Sequence, residues 1–468
     1  MRRFLKWKWL VSFGLLLVVL AVAIPLVYLW NERQRDRLEL QKIIAQLDAE
    51  DPNWKLDDLV DEHNTKLPPP ERNPATITRQ AHATLPVGWS QQSRALDDLT
   101  KLPVNCVHPK PDHDAYVRVL KTCEPTLRLA RQLAGYSEGG QVIQMTRSPV
   151  EFNNNELQHN REIARLLNHD VVIAASEGRT LDAIQSARAG LGVARACGTE
   201  PSSISQLVRI AADAVACSSV ERILNLGEPK EGLAELQADL LQQSKFPYLF
   251  HMSRINRAEF DRYFELFESG ELTDYGGATS INRYLDEVEF LKNLPLNHAT
   301  GLTVFNQYIA ASKLPFEQQR TAVMAIPLPR DGDRRYYSCL MLIISTDSTT
   351  RACFRIQGQL ASAAVGVACE RYRQKFGQWP LSLDMIPKDI LSEIPIDPFT
   401  GKPIVYKRLQ DGIAVYTVGP DLTDDGGVFY DPLTDKQGKD YGIRIHDPAS
   451  RRQPAPPRPV EEAEPEQP

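Results

Sequence analysis

The 22 residues from Trp9 to Trp30 carry no charged side chain. As a helix, at about 1.5 Å per residue, they reach roughly 33 Å, enough to cross the hydrocarbon core of a bilayer. A run of that length exceeds ordinary core helices, so it predicts a transmembrane helix holding a large polar body on one side. Arg2, Arg3, Lys6 and Lys8 precede it, while Arg33, Arg35 and Arg37 follow it mixed with Glu32, Asp36 and Glu39. Positive charge favours the cytoplasmic side and acidic residues count for little. The balance points to a cytoplasmic N-terminus over residues 1–8, a span over 9–30 and an extracytoplasmic body. Trp7, Trp9, Tyr28 and Trp30 bracket the run, as suits rings lodged at the headgroups. Ala21-Val22-Ala23 has the small-x-small form of a cleaved export signal, the rival reading; the apolar continuation from Ile24 to Trp30 favours an uncleaved anchor.

The 468 residues are 42% hydrophobic and 24% charged, enough to bury one or two sizeable cores beyond the anchor. Net charge is −6 with no basic patch interleaved with aromatics, so nothing points to nucleic acid as a partner. The seven cysteines are widely spaced without a Cys-x-x-Cys pair, which does not describe a disulfide framework. Cys106 and Cys123 alone look bridgeable, and only in an oxidising compartment.

Residues 31–150 divide into a stalk helix and a proline-rich linker region. Leu38, Ile43, Ile44 and Leu47 give Glu32 to Ala49 an apolar stripe, and the run Lys66 to Pro74 is too rich in proline for helix or central strand. Residues 151–350 form an α-helical domain. Ile163, Leu166, Leu167, Val171 and Ala174 recur at helical spacing; Glu177-Gly178 breaks the pattern, and alanine-rich helices follow. Stacked helical hairpins of this kind offer either a groove for a peptide or protein partner or a plain core. The aromatics Tyr248, Phe250, Phe260, Tyr263, Phe264 and Phe267 belong to a core. The fold class is therefore mainly α: one N-terminal transmembrane helix, a helical hairpin array and a small carboxyl-terminal α+β module over 351–448. The tail 449–468, dominated by proline, arginine and glutamate, is expected to be disordered.

The module carries the most distinctive motifs. A helix through Leu360, Ala364, Val367 and Ala368 ends at Gly377. Short strands follow at Ile404 to Lys407 and Ile413 to Val418, joined at Asp411-Gly412. In Glu370-Arg-Tyr372, Gly377-Gln-Trp-Pro380, Asp397-Pro-Phe-Thr-Gly401, Pro403, Tyr406, Tyr416 and Gly419-Pro-Asp421 the sequence resembles the globular end of the type II secretion major pseudopilin, over about a fifth of the chain. The resemblance implies a calcium ion in the acidic loop, with Asp421, Asp424 and Asp425 as ligands. Calcium is a hard cation that takes six to eight oxygens, which clustered carboxylates and turn carbonyls can supply. Asp421, Thr423, Asp425 and Gly426 also echo positions of an EF-hand loop, but Pro432 stands where its bidentate glutamate belongs. The plain alternative is a solvated turn whose carboxylates cap local amides. The chain departs from a pseudopilin in that about 320 residues separate anchor and module, and no glutamate stands five residues into the apolar run.

Two further constellations are weaker. Gly135-Tyr-Ser-Glu-Gly139 matches the G-x-S-x-G elbow of serine hydrolases, with Ser137 as nucleophile, but helix precedes and strand or loop follows, the reverse of that elbow. Cys106, His108, His113 and Cys123 offer zinc-type ligands at a spacing that matches no common module. The expectation is thus a single-pass, membrane-anchored binding or scaffold protein related to secretion or the envelope, not an enzyme. Its partner would be a protein or peptide; a membrane-anchored serine hydrolase is the alternative.

Overall fold

The computed structural model describes residues 2–100, 102–144, 155–271, 292–329, 337–429 and 439–456. The chain is mainly helical with a small antiparallel sheet near its end. Helix α1, Arg2–Glu50, is uninterrupted, and its exposed apolar part is long enough to span a membrane or act as an export signal. Its second half is not a free stalk. Leu40 and Leu47 are buried, and Ile43 and Ile44 pack against the same core. These positions share one helical stripe that lies on Leu294–Ser312. Ten residues, about 15 Å of helix, separate Trp30 from Leu40, so the body starts close to the apolar end. The helix is then bolted down. Trp54 is fully buried, donates from Nε1 to Asp48 at 2.8 Å and carries the Arg257 guanidinium 5.4 Å over its ring, while Arg257 bonds the Asp51 carboxylate.

The proline-rich run is folded rather than a linker. Pro70–Arg72 forms a 3-10 turn, and Asn73 caps the helix Pro74–His82 by accepting from the Ala75 amide at 3.0 Å. The same Asn73 side chain exchanges two hydrogen bonds with Gly140, tying this corner to the loop 135–144. Three helices follow the expected pattern: α7 (Asn155–Ser176), α8 (Thr180–Cys197) and α9 (Ser203–Leu226) pack on one another. From Ala183 to Cys197 only Gln185 and Arg188 of α8 escape burial, so this helix is largely core. Among the expected aromatics, Tyr248, Phe260 and Phe264 are buried in that core.

The next major element, α14 (Tyr337–Phe376), crosses the expected domain boundary at 350 and 351 without a break. One face packs on α9 and Leu233–Ser244; the other carries the sheet of β2 (Val405–Leu409), β3 (Gly412–Thr417) and β4 (Tyr441–His446), in the antiparallel order β2-β3-β4. Helix and sheet meet at Gly366, where a Cβ would sit 2.3 Å from Ile443 Cδ1. Body and module share one apolar cluster that includes Leu191, Ile223, Leu360, Val367, Ile413 and Ile445.

Disorder does not begin at Ala449. The described part of the tail is clamped: Arg451 Nη2 donates to Glu370 at 2.9 Å and its Nε to the His446 carbonyl at 2.8 Å. Arg452 donates to the carbonyls of Leu226 and Ser176 at 2.9 and 2.8 Å. Gln453–Pro454 pairs in parallel with Cys106–Val107. Residues 457–468 lie outside the described residues. Burial would raise the Glu370 carboxyl, but hydrogen bonds from Arg373 and Arg451 hold it below its ordinary value. Cys106 and Cys123 are buried free thiols, so the bridge considered between them is not formed.

Two measurements probe these contacts. Arg451→Met leaves Glu370 buried with Arg373 and Gln374 but without its second guanidinium, and urea unfolding followed by tryptophan fluorescence is expected to show a loss of about 3–5 kcal/mol; a disordered tail would give none. Glu200, 1% exposed, accepts from the Gln141 amide at 2.9 Å, and burial pushes its carboxyl up to about 7. A folded value above the unfolded one means that the native state binds the extra proton, so stability is lost as pH rises through about 4.5 to 7. Glu200→Gln keeps the acceptor without the charge. Its melting temperature is expected to gain on the wild type between pH 5 and pH 8; a constant difference would contradict the assignment.

Candidate calcium-binding loop

Every residue of β3 is buried, because α14 covers one face of the sheet and the loop 419–429 covers the other. The loop is pinned by its own turn chemistry. Gly426 and Gly427 adopt φ values of 81° and 80°, which glycine takes without steric cost. The Tyr416 hydroxyl and the Gly426 amide both donate to Asp424 Oδ1 at 2.8 Å. Asp421 accepts from the Thr423 amide at 3.2 Å and pairs with Lys439 at 3.3 Å. Both carboxyls are held below their ordinary values, Asp421 chiefly by the Thr423 amide and Asp424 chiefly by the Tyr416 hydroxyl.

Asp425 differs. Its Oδ2 is shielded from water and has no hydrogen-bond partner among the described residues. The same holds for Oδ1 of Asp440, which is 2% exposed and stands just before β4. The other oxygen of Asp440 accepts from the Gly427 amide at 2.8 Å. Burial raises the Asp440 carboxyl, and the neighbouring Asp425 charge adds to that. Two orphaned carboxylate oxygens of like charge in a water-poor place are costly unless a cation or proton joins them. The donor set is all oxygen, which suits calcium. Asp425 and Asp440 would hold the ion, which would supply the positive charge that binds loop to sheet.

Among the described residues no three His, Cys, Asp or Glu side chains converge as a metal-holding group. Asp421, Asp424 and Asp425 are thus not gathered as a three-carboxylate group; Asp421 bonds Thr423 and Lys439, and Asp424 takes both of its donors on Oδ1. Asp440 was missed because it lies 15 positions beyond Asp425, brought beside it only by antiparallel pairing of β3 and β4. Pro432 lies outside the described residues. The zinc-type residues are also dispersed: His113 faces Glu177 at 3.3 Å, and His108 packs against Tyr116.

Polar side chains of the module tie its turns and strands together. Asp397 is fully buried and accepts from the Phe399 amide at 2.7 Å and the Val418 amide at 3.2 Å. Trp379 donates to Asp447 at 2.5 Å, and the Tyr406 hydroxyl to the Pro380 carbonyl at 2.6 Å. Ser137 is exposed after the 3-10 turn Arg131–Gly135, and among the described residues no histidine or carboxylate bonds its hydroxyl. Its neighbour Glu138 instead makes a bidentate pair with the fully buried Arg209, at 2.7 and 2.8 Å. No family model, no curated protein and no solved structure matches this chain.

Calcium at 1 mM is expected to raise the melting temperature of the full chain in detergent relative to EGTA. A ligand of the folded state adds roughly 2.7 kcal/mol at a hundredfold excess over Kd. Asp440→Asn and Asp425→Asn should each abolish the shift, whereas Asp421→Asn should keep most of it. The reverse pattern would return the site to the outer aspartates.

Proposed function

We propose that this chain is a single-pass, membrane-anchored protein that binds or scaffolds a protein or peptide partner outside the cytoplasm, in a secretion or envelope process. Calcium steadies its carboxyl-terminal module. The observation that carries the reading is the burial of Leu40 and Leu47: the helix that leaves the apolar span enters the core of the body. A cleaved export signal has no such need to continue into the fold. The motif likeness to the type II secretion pseudopilin supports the secretion context, and the orphaned oxygens of Asp425 and Asp440 support the ion.

The chemistry on offer is non-covalent. The shared residues Glu370, Trp379, Asp397 and Tyr416 spend their polar atoms on holding helix, turn, sheet and loop together. Such a module keeps its shape while its outer surface is free to meet another protein.

Protease added to intact spheroplasts is expected to degrade the body, and the same protease outside intact cells to leave it whole; the residual fragment should stay in the membrane fraction. Recovery of the body in the soluble fraction, starting beyond residue 23, would sink the anchor. Formaldehyde crosslinking in cells should give discrete higher-mass species, and their absence would sink the scaffold reading.

A further inference from the structure

The three-stranded sheet has two edges, and among the described residues only one is closed. Along β4 the Arg444 amide donates to the Glu221 carboxylate at 2.8 Å. Asn225 of α9 accepts from the His446 amide at 2.8 Å and donates to the Arg444 carbonyl at 2.7 Å. These contacts also fix which residues of the sheet bond in which direction. Gly442, Arg444 and His446 turn their backbone groups away from β3, so their partners Tyr416, Ala414 and Gly412 must bond across to Val405, Lys407 and Leu409. Tyr406 and Arg408, the alternating positions of β2, then point their N–H and C=O groups outward. Among the described residues nothing bonds those groups.

The open edge is positively charged. Lys407 and Arg408 are exposed and neither forms a salt bridge among the described residues, although the Lys407 ammonium lies beside Gly426 and helps hold the Asp424 carboxyl below its ordinary value. Adjacent strand residues project to opposite faces, so one cation stands on each side of the sheet. Lysine on an edge strand guards against self-association, and two β2 edges brought together would oppose like charges. A strand with carboxylates at neighbouring positions would meet both cations and satisfy the free backbone groups at once.

We propose that β2 takes up an acidic, extended segment of a partner protein as a fourth strand, by the main-chain pairing used in strand-addition recognition. This rests on reading the chain as a binding protein and locates the contact on the side of the sheet away from α9.

The probe is the pentapeptide acetyl-Thr-Glu-Glu-Ile-Thr-amide at 1 mM, added to the full chain in lipid nanodiscs, with residue-resolved amide hydrogen exchange as the readout. Exchange at Tyr406 and Arg408 should slow at least fivefold and exchange at Lys407 should not change. The peptide with lysine in place of both glutamates should give no protection. Arg408→Pro removes one outward N–H without touching the ladder to β3, and should abolish protection at Tyr406 at an unchanged melting temperature. Lys407→Glu combined with Arg408→Glu should reverse the preference toward the lysine peptide, which keeps the test open if the proline variant misfolds. Unchanged exchange with the acidic peptide, or equal protection by the lysine peptide, would overturn the proposal. Cellular crosslinks that persist in Arg408→Pro would overturn the edge while leaving the scaffold reading standing.

Discussion

Burial of α14 on all sides is the constraint on which the rest of the structure depends. From Cys353 to Glu370 its side chains are almost all withdrawn from water, and a helix apolar around its circumference must be covered around its circumference. The helical body covers one side and the small sheet covers the other. Each large apolar side chain buried there contributes about 1.5–3 kcal/mol before the entropy of ordering is counted. Body and module share one apolar cluster, and the helix runs unbroken through residues 350 and 351.

Polar contacts then decide where the shared core stops. Glu370 sits on α14 at the limit of the apolar stripe and is fully buried, so it must be matched by charge. Arg373 supplies one guanidinium from the next turn of the helix; the second comes from Arg451, beyond the last long strand. That demand orders a segment whose composition suits a solvated tail. At the other end, Arg257, Asp51 and Trp54 stop α1 where it leaves the core. The apolar span and the distant sheet are thus joined through packed side chains rather than through flexible chain.

The same logic separates the two kinds of aspartate in the acidic loop. Asp421 and Asp424 lie where the loop meets solvent and are bonded by nearby amides, a lysine and a tyrosine hydroxyl. Asp425 and Asp440 each keep one shielded oxygen without a hydrogen-bond partner among the described residues. A cluster that looks uniform along the chain is divided by a few ångströms of depth into structural caps and a candidate cation site.

Periodicity and charge in the sequence were enough to determine the apolar span, the helical pattern of Ile163 to Val215 and the strands of the module, because each is set by local spacing of apolar residues and by glycine turns. Several of the residues quoted from Glu370 to Asp421 hold the module together, but their spacing along the chain does not show which of them touch. Tertiary structure alone decided that the stripe of α1 is core, that Lys66 to Pro74 is folded, that Arg451 and Arg452 are clamped and that Asp440 joins Asp425. It also decided that one edge of the sheet is sealed by Glu221 and Asn225 while the other stays open. The reason is common to all of them: each depends on which buried group lacks a partner, and partners more than a few residues apart are chosen by packing in space, which local pattern does not encode.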